Sequence, residues 1–310
     1  MSSTKNKKRK SQAPVALVYF LTMLVFLGTL GVLSMYILKR CNVIGDSSST
    51  SEVKTQSVAF NNLYARVNSK GVLCDASVIR VAPESKKVII VPLSAFSTDK
   101  ETNKTFRELY ADGGITRLKK AVKENYGLEA DSYSSITNSA FEDCADIFGG
   151  FSYSPPEDLY YLSSDNANDI SFDKGQLTNL TGRQIRLICS YPVFSAGKQA
   201  NTEFLGTALK ELLNNAFRQS QITTDNLDNL YDIITANSDT DLSKDTFKLQ
   251  KSYIKDMLQE NLSPAETMVP EGTWTDTSHF KVSDDFVKSL EKMVTDTAPV
   301  VEVSSTQQAD

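Results

Sequence analysis

Residues 72–96 read VLCDASVIRVAPESKKVIIVPLSAF, two apolar runs joined by the turn-forming residues 82–86. Val, Ile and Leu dominate both runs, as is typical of β-strands. Pro83 and the polar residues after it suit the turn of a hairpin. The sequence therefore predicts two paired strands, Val72–Val81 and Lys87–Ser94.

Strand and helix patterns alternate on both sides of this hairpin. Residues 57–67 and Ile185–Ser190 have the apolar character of strands. Apolar residues at helical spacing predict helices over 115–126, 137–148 and 203–217. Strands that alternate with amphipathic helices indicate an α/β fold, a layered sheet with helices on both faces.

The C-terminal part of the chain is less apolar. Three helical patterns lie near Leu227–Ile234, Phe247–Leu258 and Phe286–Val294. Their apolar stripes are too weak for a separate core, so we expect a helical C-terminal extension of the same domain. The predicted organisation is an α/β domain over 57–225, the helical extension over 226–300 and a disordered tail over 301–310.

The N-terminal part contains a long apolar segment. Residues 15–38, VALVYFLTMLVFLGTLGVLSMYIL, carry no charge. About 20 apolar residues suffice for a helix to cross a bilayer, and a cleaved signal peptide has a shorter apolar region. Five Lys or Arg precede the segment and two follow it, which favours a cytoplasmic N-terminus. We expect a basic cytoplasmic tail (1–14), one transmembrane helix (15–38), a stalk (39–56) and an extracellular domain held at the cell membrane.

The charge distribution excludes several classes of protein. The formal charge is -5, and the first 40 residues contribute seven positive charges and no acid, so the remainder carries -12. Such an acidic domain argues against nucleic-acid binding through a basic face. With one histidine and four cysteines in the chain, His-rich or CxxC metal sites are also disfavoured.

Three cysteines, Cys74, Cys144 and Cys189, fall within the predicted domain. They allow two interpretations. They are buried thiols that act as small apolar residues, or Cys74 and Cys189 form a disulfide. Pairing cannot be assigned from spacing, so both remain open.

Several segments together resemble one protein family. The hairpin of residues 72–96 looks like that family's paired strands, and four further segments follow in the same order and with suitable spacing. They are TFRELYADGGITRLKKAVKENYGLEADSY (105–133), FEDCADIFGG (141–150), LTNLTGRQIRLICSY (177–191) and NTEFLGTALKELL (201–213). The chain thus resembles the LytR-CpsA-Psr family of bacterial envelope proteins over nearly its whole length.

This resemblance implies a function in cell-envelope assembly. Members of the family take a glycopolymer from a polyprenyl-pyrophosphate lipid and join it to peptidoglycan, using a metal ion. The chemistry needs carboxylates for the cation and arginines for the pyrophosphate, because charge builds on its oxygens in the transition state. The expected partners are a polyprenyl-linked glycopolymer lipid or an active relative of the family, together with the membrane, and the acidic domain argues against nucleic acid.

The charged pattern of the family is incomplete in this chain. Asp75 matches the first metal-binding aspartate, but residues 92–94 (PLS) stand where the family has an arginine and a second aspartate. Residues 190–192 (SYP) and 196–200 (AGKQA) replace further arginine positions. Losing one such donor typically lowers a rate by roughly a hundredfold to a thousandfold. We therefore expect a catalytically degenerate member that binds polyprenyl-linked lipid or a partner, the alternative being an active phosphotransferase.

The resemblance also indicates candidate site residues. Asp75 is the candidate metal ligand, for Mg²⁺ if the protein is active. Arg183 and Arg186 are three positions apart on the strand that the resemblance places after Gly182 and would point to opposite faces, so at most one would reach the pocket. Each candidate also has a simpler interpretation. Asp75 would be a strand-end aspartate that caps a turn or lies in solvent, Arg107 and Lys198 would be solvated surface charges, and the apolar residues of 204–217 would be plain core. The candidate pyrophosphate-binding residues are Arg107, Arg183, Arg186 and Lys198, and the candidate lipid-cavity residues are Phe204, Leu205, Ala208, Leu209 and Leu212.

Overall fold

The structure is a computed structural model that describes residues 58–164, 168–236, 238–260 and 263–298. The predicted cytoplasmic tail, transmembrane helix, stalk and C-terminal tail lie outside these residues. Within them, no helix combines the length and the apolar character needed to cross a bilayer.

A six-stranded mixed sheet forms the centre of the described part. Its strands lie in the order β10-β3-β2-β1-β4-β9. Strands β1, β2 and β3 are antiparallel neighbours, whereas β4 runs parallel to β1 and β10 runs parallel to β3. The predicted hairpin is therefore confirmed. The strands are β1 Phe60–Val67, β2 Leu73–Ala82, β3 Lys87–Ser94, β4 Ser132–Thr137, β9 Asp239–Thr240 and β10 Ala265–Thr267.

Three short antiparallel ribbons surround this sheet. Strand β5 pairs with β8, β6 pairs with β7, and β11 pairs with β12. The strands are β5 Phe151–Tyr153, β6 Leu159–Tyr161, β7 Ile170–Phe172, β8 Thr178–Leu180, β11 Gly272–Trp274 and β12 Phe280–Val282.

Seven helices in the described residues cover the sheet. They are α1 Phe106–Tyr126, α2 Asn138–Ile147, α3 Gly182–Cys189, α4 Lys198–Arg218, α5 Ser220–Ala236, α6 Lys244–Leu258 and α7 Asp284–Asp296. Apolar residues of α1 and α7 pack in one core with the side chains of Leu63 and Ala65 on one face of β1. Residues of α2 to α6 pack on the opposite face. The predicted layered α/β architecture is thus confirmed.

Helix α1 begins earlier than its apolar spacing predicts. Thr105 caps its N-terminus and forms a reciprocal capping box with Glu108, so the chain becomes helical at Phe106. Gly113 and Gly114 then interrupt the helical backbone within it. The apolar pattern predicted from residue 115 is therefore the second, continuous part of a kinked helix.

The strand predicted over Ile185–Ser190 is wrong, because residues 185–189 lie in helix α3 and Ser190 is its C-cap residue. Thr181 caps this helix and accepts a hydrogen bond from the Gln184 backbone, while the Gln184 side chain accepts one from the Thr181 backbone. Ile185 and Ile188, three positions apart, are fully buried. Periodicity alone cannot separate a short apolar run in a strand from one in a buried helix, and here the cap specifies the helix.

The C-terminal extension contains the three predicted helices, since α5, α6 and α7 cover the predicted segments. It is not wholly helical, however. It also supplies β9 and β10, the two edge strands of the central sheet. The extension is consequently part of the sheet as well as a cover for it.

Two glycines offer a matched test of the packing around β5. Gly150 has φ 64°, and a Cβ atom there would lie 2.0 Å from the carbonyl oxygen of Leu180. We expect Gly150→Ala to lower the free energy of unfolding by about 2 kcal/mol or more, because the left-handed backbone and the close contact both oppose a side chain. The control Gly175→Ala, at φ 75° with open space around it, should lower it by only about 1 kcal/mol. Urea denaturation measures both, and equal losses would contradict the close approach.

Candidate functional site

An apolar cavity of about 230 Å³ lies between the central sheet and helices α2, α4, α5 and α6. Alternate side chains of β1, those of Phe60, Asn62, Tyr64 and Arg66, form part of its wall. They share one face because successive side chains of a strand point to opposite faces. Most of the remaining wall consists of Leu, Ile, Val and Phe side chains.

Helix α4 brings three of the five candidate lipid-cavity residues to this wall, Leu205, Leu209 and Leu212. They recur every three or four positions and therefore share a helix face. Phe204 instead packs against the rings of Phe151 and Tyr153, at centroid distances of 6.3 and 5.0 Å. Ala208 is fully buried in the same core cluster.

The cavity also has a small polar patch, made by Asn62, Gln250 and the Tyr64 hydroxyl. The amide groups of Asn62 and Gln250 exchange two hydrogen bonds of 3.1 Å, and Ser132 donates another to Asn62. Burial raises the pKa of Tyr64 to about 12, so this hydroxyl stays neutral. The cavity wall therefore combines apolar side chains with uncharged hydrogen-bonding groups.

A second, more polar pocket of about 210 Å³ adjoins the cavity, and Asp75 lines both. Two of its cations lie over the same aromatic ring. The Arg107 Cζ atom is 4.5 Å and the Lys198 Nζ atom 4.1 Å from the ring centroid of Phe96. Burial, and then the charge of Arg107, lower the pKa of Lys198 below the usual lysine value. The two candidate cations thus face one pocket, which we call the basic pocket.

The N-terminus of α4 opens onto the basic pocket. Lys198, Asn201 and Thr202 belong to its first turns and line the pocket. Gly197 is the N-cap residue and provides no side-chain hydrogen bond to the helix. The N-terminus of a helix attracts negative charge. The N-terminus of α4 therefore adds to the positive potential that the two cations create in the pocket. The basic pocket therefore suits an anionic group.

The side chains of Arg66 and Asp75 form a buried ion pair where cavity and pocket meet. Arg66 is 2% exposed and Asp75 is 13% exposed. The Arg66 Nε atom donates to both carboxylate oxygens at 3.1 Å, and its terminal nitrogens donate to Asp75, Asn138 and Ser190. Burial alone would lower the pKa of Arg66, but the Asp75 charge and hydrogen bond outweigh it and raise that pKa. The guanidinium is therefore charged, and four acceptor atoms hold it in place.

This ion pair bears on the metal ion that the resemblance implies. The Asp75 carboxylate already accepts hydrogen bonds from Arg66, so a resident cation would have to leave a buried guanidinium unpaired. Ser94 lies opposite Asp75 in the β2–β3 register, where the resemblance places the second aspartate. Within the described residues, no three His, Cys, Asp or Glu side chains cluster as metal ligands. The residues present do not fit a resident metal ion.

Arg183 and Arg186, the other two candidate phosphate ligands, lie outside the lining of both spaces. The argument that they occupy opposite faces of a strand is wrong, since both belong to α3. Arg186 forms an ion pair with Glu142 at 2.6 Å and donates to Asn168 at 2.8 Å. Arg183 is exposed on the same helix.

Arg66 is the site residue that sequence reasoning missed. A signal was present, because an arginine stands inside the otherwise strand-like run of residues 60–67. In the antiparallel register, Arg66 lies directly opposite Asp75. Opposite charges at facing positions of paired strands stabilise one another, so the pair follows once the register is known.

Of the three cysteines, Cys189 is buried, whereas Cys74 and Cys144 are half-buried. Cys74, Cys144 and Cys189 are free thiols. Cys74 and Cys189 line the basic pocket, and burial raises the pKa of each thiol above its usual value. Both thiols are therefore held in the protonated, unreactive form.

The fold and the two adjoining spaces define a class, an α/β domain with an apolar cavity beside a basic pocket. The family is given by the sequence itself, since residues 87–296 match the model of the LytR_cpsA_psr family. The chain belongs to the LytR-CpsA-Psr family. No protein with a curated description matches the chain in sequence.

Solved structures of several bacterial proteins share the fold. One from Eubacterium siraeum DSM 15702 is 15% identical with a TM-score of 0.70, covering 81% of this chain and 99% of its own. Bacillus subtilis TagV is 15% identical with a TM-score of 0.62, covering 78% of this chain and 98% of its own. TagT bound to LIIa-WTA is 15% identical with a TM-score of 0.61, covering 82% of this chain and 97% of its own. At these identities the similarity establishes the fold alone.

Proposed function

We propose that the protein is a membrane-anchored, extracytoplasmic LytR-CpsA-Psr protein that binds a polyprenyl-linked lipid in cell-envelope glycopolymer assembly without catalysing transfer. The apolar chain would occupy the cavity, and the phosphate group would lie in the basic pocket. The observation that carries the proposal is that the two spaces adjoin at Asp75. An amphiphile with an anionic head and an apolar tail matches this arrangement.

The dimensions of the cavity support an apolar ligand. A cavity of about 150 Å³ lined by Leu, Ile and Phe is large enough to bind benzene. The cavity here is about 230 Å³ and is lined mainly by such side chains. Ligand sites of this kind are concave and mostly apolar, with a few polar groups that fix orientation. The Asn62 and Gln250 amides are such groups.

The proposal that transfer is not catalysed rests on the basic pocket. Asp75 is paired with Arg66, and Ser94 stands at the position that the resemblance gives to a second aspartate. TagT has been solved bound to LIIa-WTA, which makes a glycopolymer lipid a reasonable ligand class for a protein of this fold. A binding or accessory role, beside an active relative, requires only the cavity and the cations.

Native mass spectrometry of residues 42–310, which contain the compact unit of the chain, tests the proposal. We expect a co-purified or added polyprenyl phosphate to be retained. A domain that retains no such lipid would contradict the proposal. Transfer of the glycopolymer to peptidoglycan by the purified protein would instead establish the alternative, an active phosphotransferase.

A variant without the two cations of the basic pocket distinguishes binding of the ligand's phosphate head from binding of its apolar tail. The wild-type protein should bind a polyprenyl phosphate on the order of tenfold more tightly than the polyprenol of equal length, because charged hydrogen bonds to phosphate are strong. Arg107→Gln combined with Lys198→Gln should remove this preference and leave polyprenol affinity unchanged. Lys120→Gln, on the exposed surface of α1, is the matched control. An unchanged preference in the double variant would place the head group elsewhere.

The anchoring and orientation are also part of the proposal. The uncharged segment 15–38 and the excess of Lys and Arg before it support a single-pass anchor with a cytoplasmic N-terminus. Protease added to intact cells should then degrade the domain and spare a short N-terminal fragment. Complete protection of the domain would contradict this orientation.

A further inference from the structure

We propose that Arg66 is a built-in counter-cation for Asp75, which lets the basic pocket bind the phosphate group of its ligand without a divalent metal ion. The inference rests on the anionic head-group site of the proposed function and assigns a role to Arg66, which lines the cavity and lies behind Asp75. Arg66 acts here as a positioning residue that sets the charge of the pocket.

Asp75 brings a negative charge to the basic pocket. Its carboxylate is the one acidic side chain in the described lining of the basic pocket. An unpaired carboxylate would repel a phosphate group there, because like charges in a partly buried site interact strongly. Binding an anion at this pocket therefore requires that the Asp75 charge be neutralised by some cation.

Arg66 already supplies this cation. It contacts both oxygens of the carboxylate, and Asn138 and Ser190 accept its remaining hydrogen bonds. These partners lie on β2, at the start of α2 and after α3, so three separate parts of the fold hold the guanidinium in place. The Arg66 Cζ atom also lies 5.5 Å from the ring centroid of Phe141. Because the fold holds the guanidinium in place, no cation has to bind from solution to neutralise Asp75.

Once Asp75 is neutralised, the charge that remains in the basic pocket is positive. With Asp75 neutralised by Arg66, the basic pocket carries the charges of Arg107 and Lys198 and the N-terminus of α4. A divalent cation at Asp75 would add repulsion to Arg66 and would gain no second carboxylate. The side chains therefore favour phosphate recognition by guanidinium and ammonium groups alone.

The test uses the full-length chain in detergent, with inorganic pyrophosphate as the probe and calorimetry as the readout. In EDTA we expect pyrophosphate to bind the wild-type protein about as tightly as in Mg²⁺. A requirement for Mg²⁺, or the absence of binding in both buffers, would overturn the inference. Retention of polyprenol by the same preparation separates this failure from failure of the lipid-binding proposal, since polyprenol occupies the cavity alone.

Two variants test the role of Arg66, both measured in EDTA. Arg66→Met leaves the Asp75 charge unpaired and should weaken pyrophosphate binding by about tenfold or more. Arg66→Met combined with Asp75→Asn removes both charges and should restore binding to near the wild-type level. If the single variant does not fold, the double variant decides by itself, because weak binding there would overturn the inference. Arg218→Met, an exposed arginine at the far end of α4, is the control and should leave binding unchanged.

Discussion

Leu209→Trp is expected to reduce retention of a polyprenyl lipid by at least about tenfold. Leu209 lies on α4 and lines the apolar cavity, so an indole at this position would fill space that the lipid chain would otherwise occupy. Because the cavity already provides room, the change in the free energy of unfolding should stay below about 1.5 kcal/mol. Native mass spectrometry measures retention, and urea denaturation measures stability.

The matched control is Leu249→Trp on α6. Leu249 is 54% exposed and does not line the cavity, so the same substitution there should leave lipid retention unchanged. Equal retention by both variants would mean that the lipid chain lies outside the cavity. Loss of retention in both would indicate a general effect of the added indole.

Arg66→Met is expected to produce the largest loss of stability, about 3–5 kcal/mol in the free energy of unfolding. Removing one partner of a buried ion pair leaves the other charge without compensation. Asp75 is 13% exposed, so water can restore only part of its solvation. Combining the variant with Asp75→Asn should recover much of the loss, since the unpaired charge is then gone.

Lys86→Met provides the comparison for this prediction. Lys86 pairs with Glu260, and both side chains are largely exposed, so the loss should be below about 1 kcal/mol. Chemical denaturation of the three variants beside the wild-type protein gives the comparison directly. Similar losses for Arg66→Met and Lys86→Met would mean that the buried pair contributes no more than a surface pair.

The ion pair gives Asp75 a structural role that needs no metal ion. In the family that the chain resembles, this aspartate binds the metal ion together with a second aspartate, and several arginines accompany them. Here its charged partner comes from the neighbouring strand, and Ser190, in the segment 190–192 that stands in place of a family arginine, accepts a hydrogen bond from Arg66. In this chain Asp75 is therefore one half of a buried ion pair.

Local sequence was sufficient for much of the architecture. The hairpin of β2 and β3, the second part of α1, and helices α2 and α4 to α7 follow from strand-forming runs, helical spacing and turn residues. Each of these signals depends on a few neighbouring residues, so it can be recognised without knowledge of the rest of the chain. Three of five predicted residues on α4 line the cavity for the same reason, because helical spacing already specifies one face.

Features that depend on contacts between distant segments could not be predicted from local sequence patterns. Helix α3 resembles a strand in sequence, because the four apolar residues of its short segment 185–190 fit either structure and the capping signal at Thr181 is short. Strands β9 and β10 are two and three residues long and become strands only by pairing with β4 and β3. Such short segments carry little periodicity of their own.

The charge of the site is likewise a property of the tertiary structure. The sequence alone determined that Asp75 stands in an apolar strand without its expected partner aspartate. That Arg66 neutralises it, and that Arg107 and Lys198 share the Phe96 ring, depends on strand register and on where α1 and α4 begin. Electrostatic interactions act between groups brought together from distant parts of the chain, so only the folded arrangement specifies which cation meets which anion.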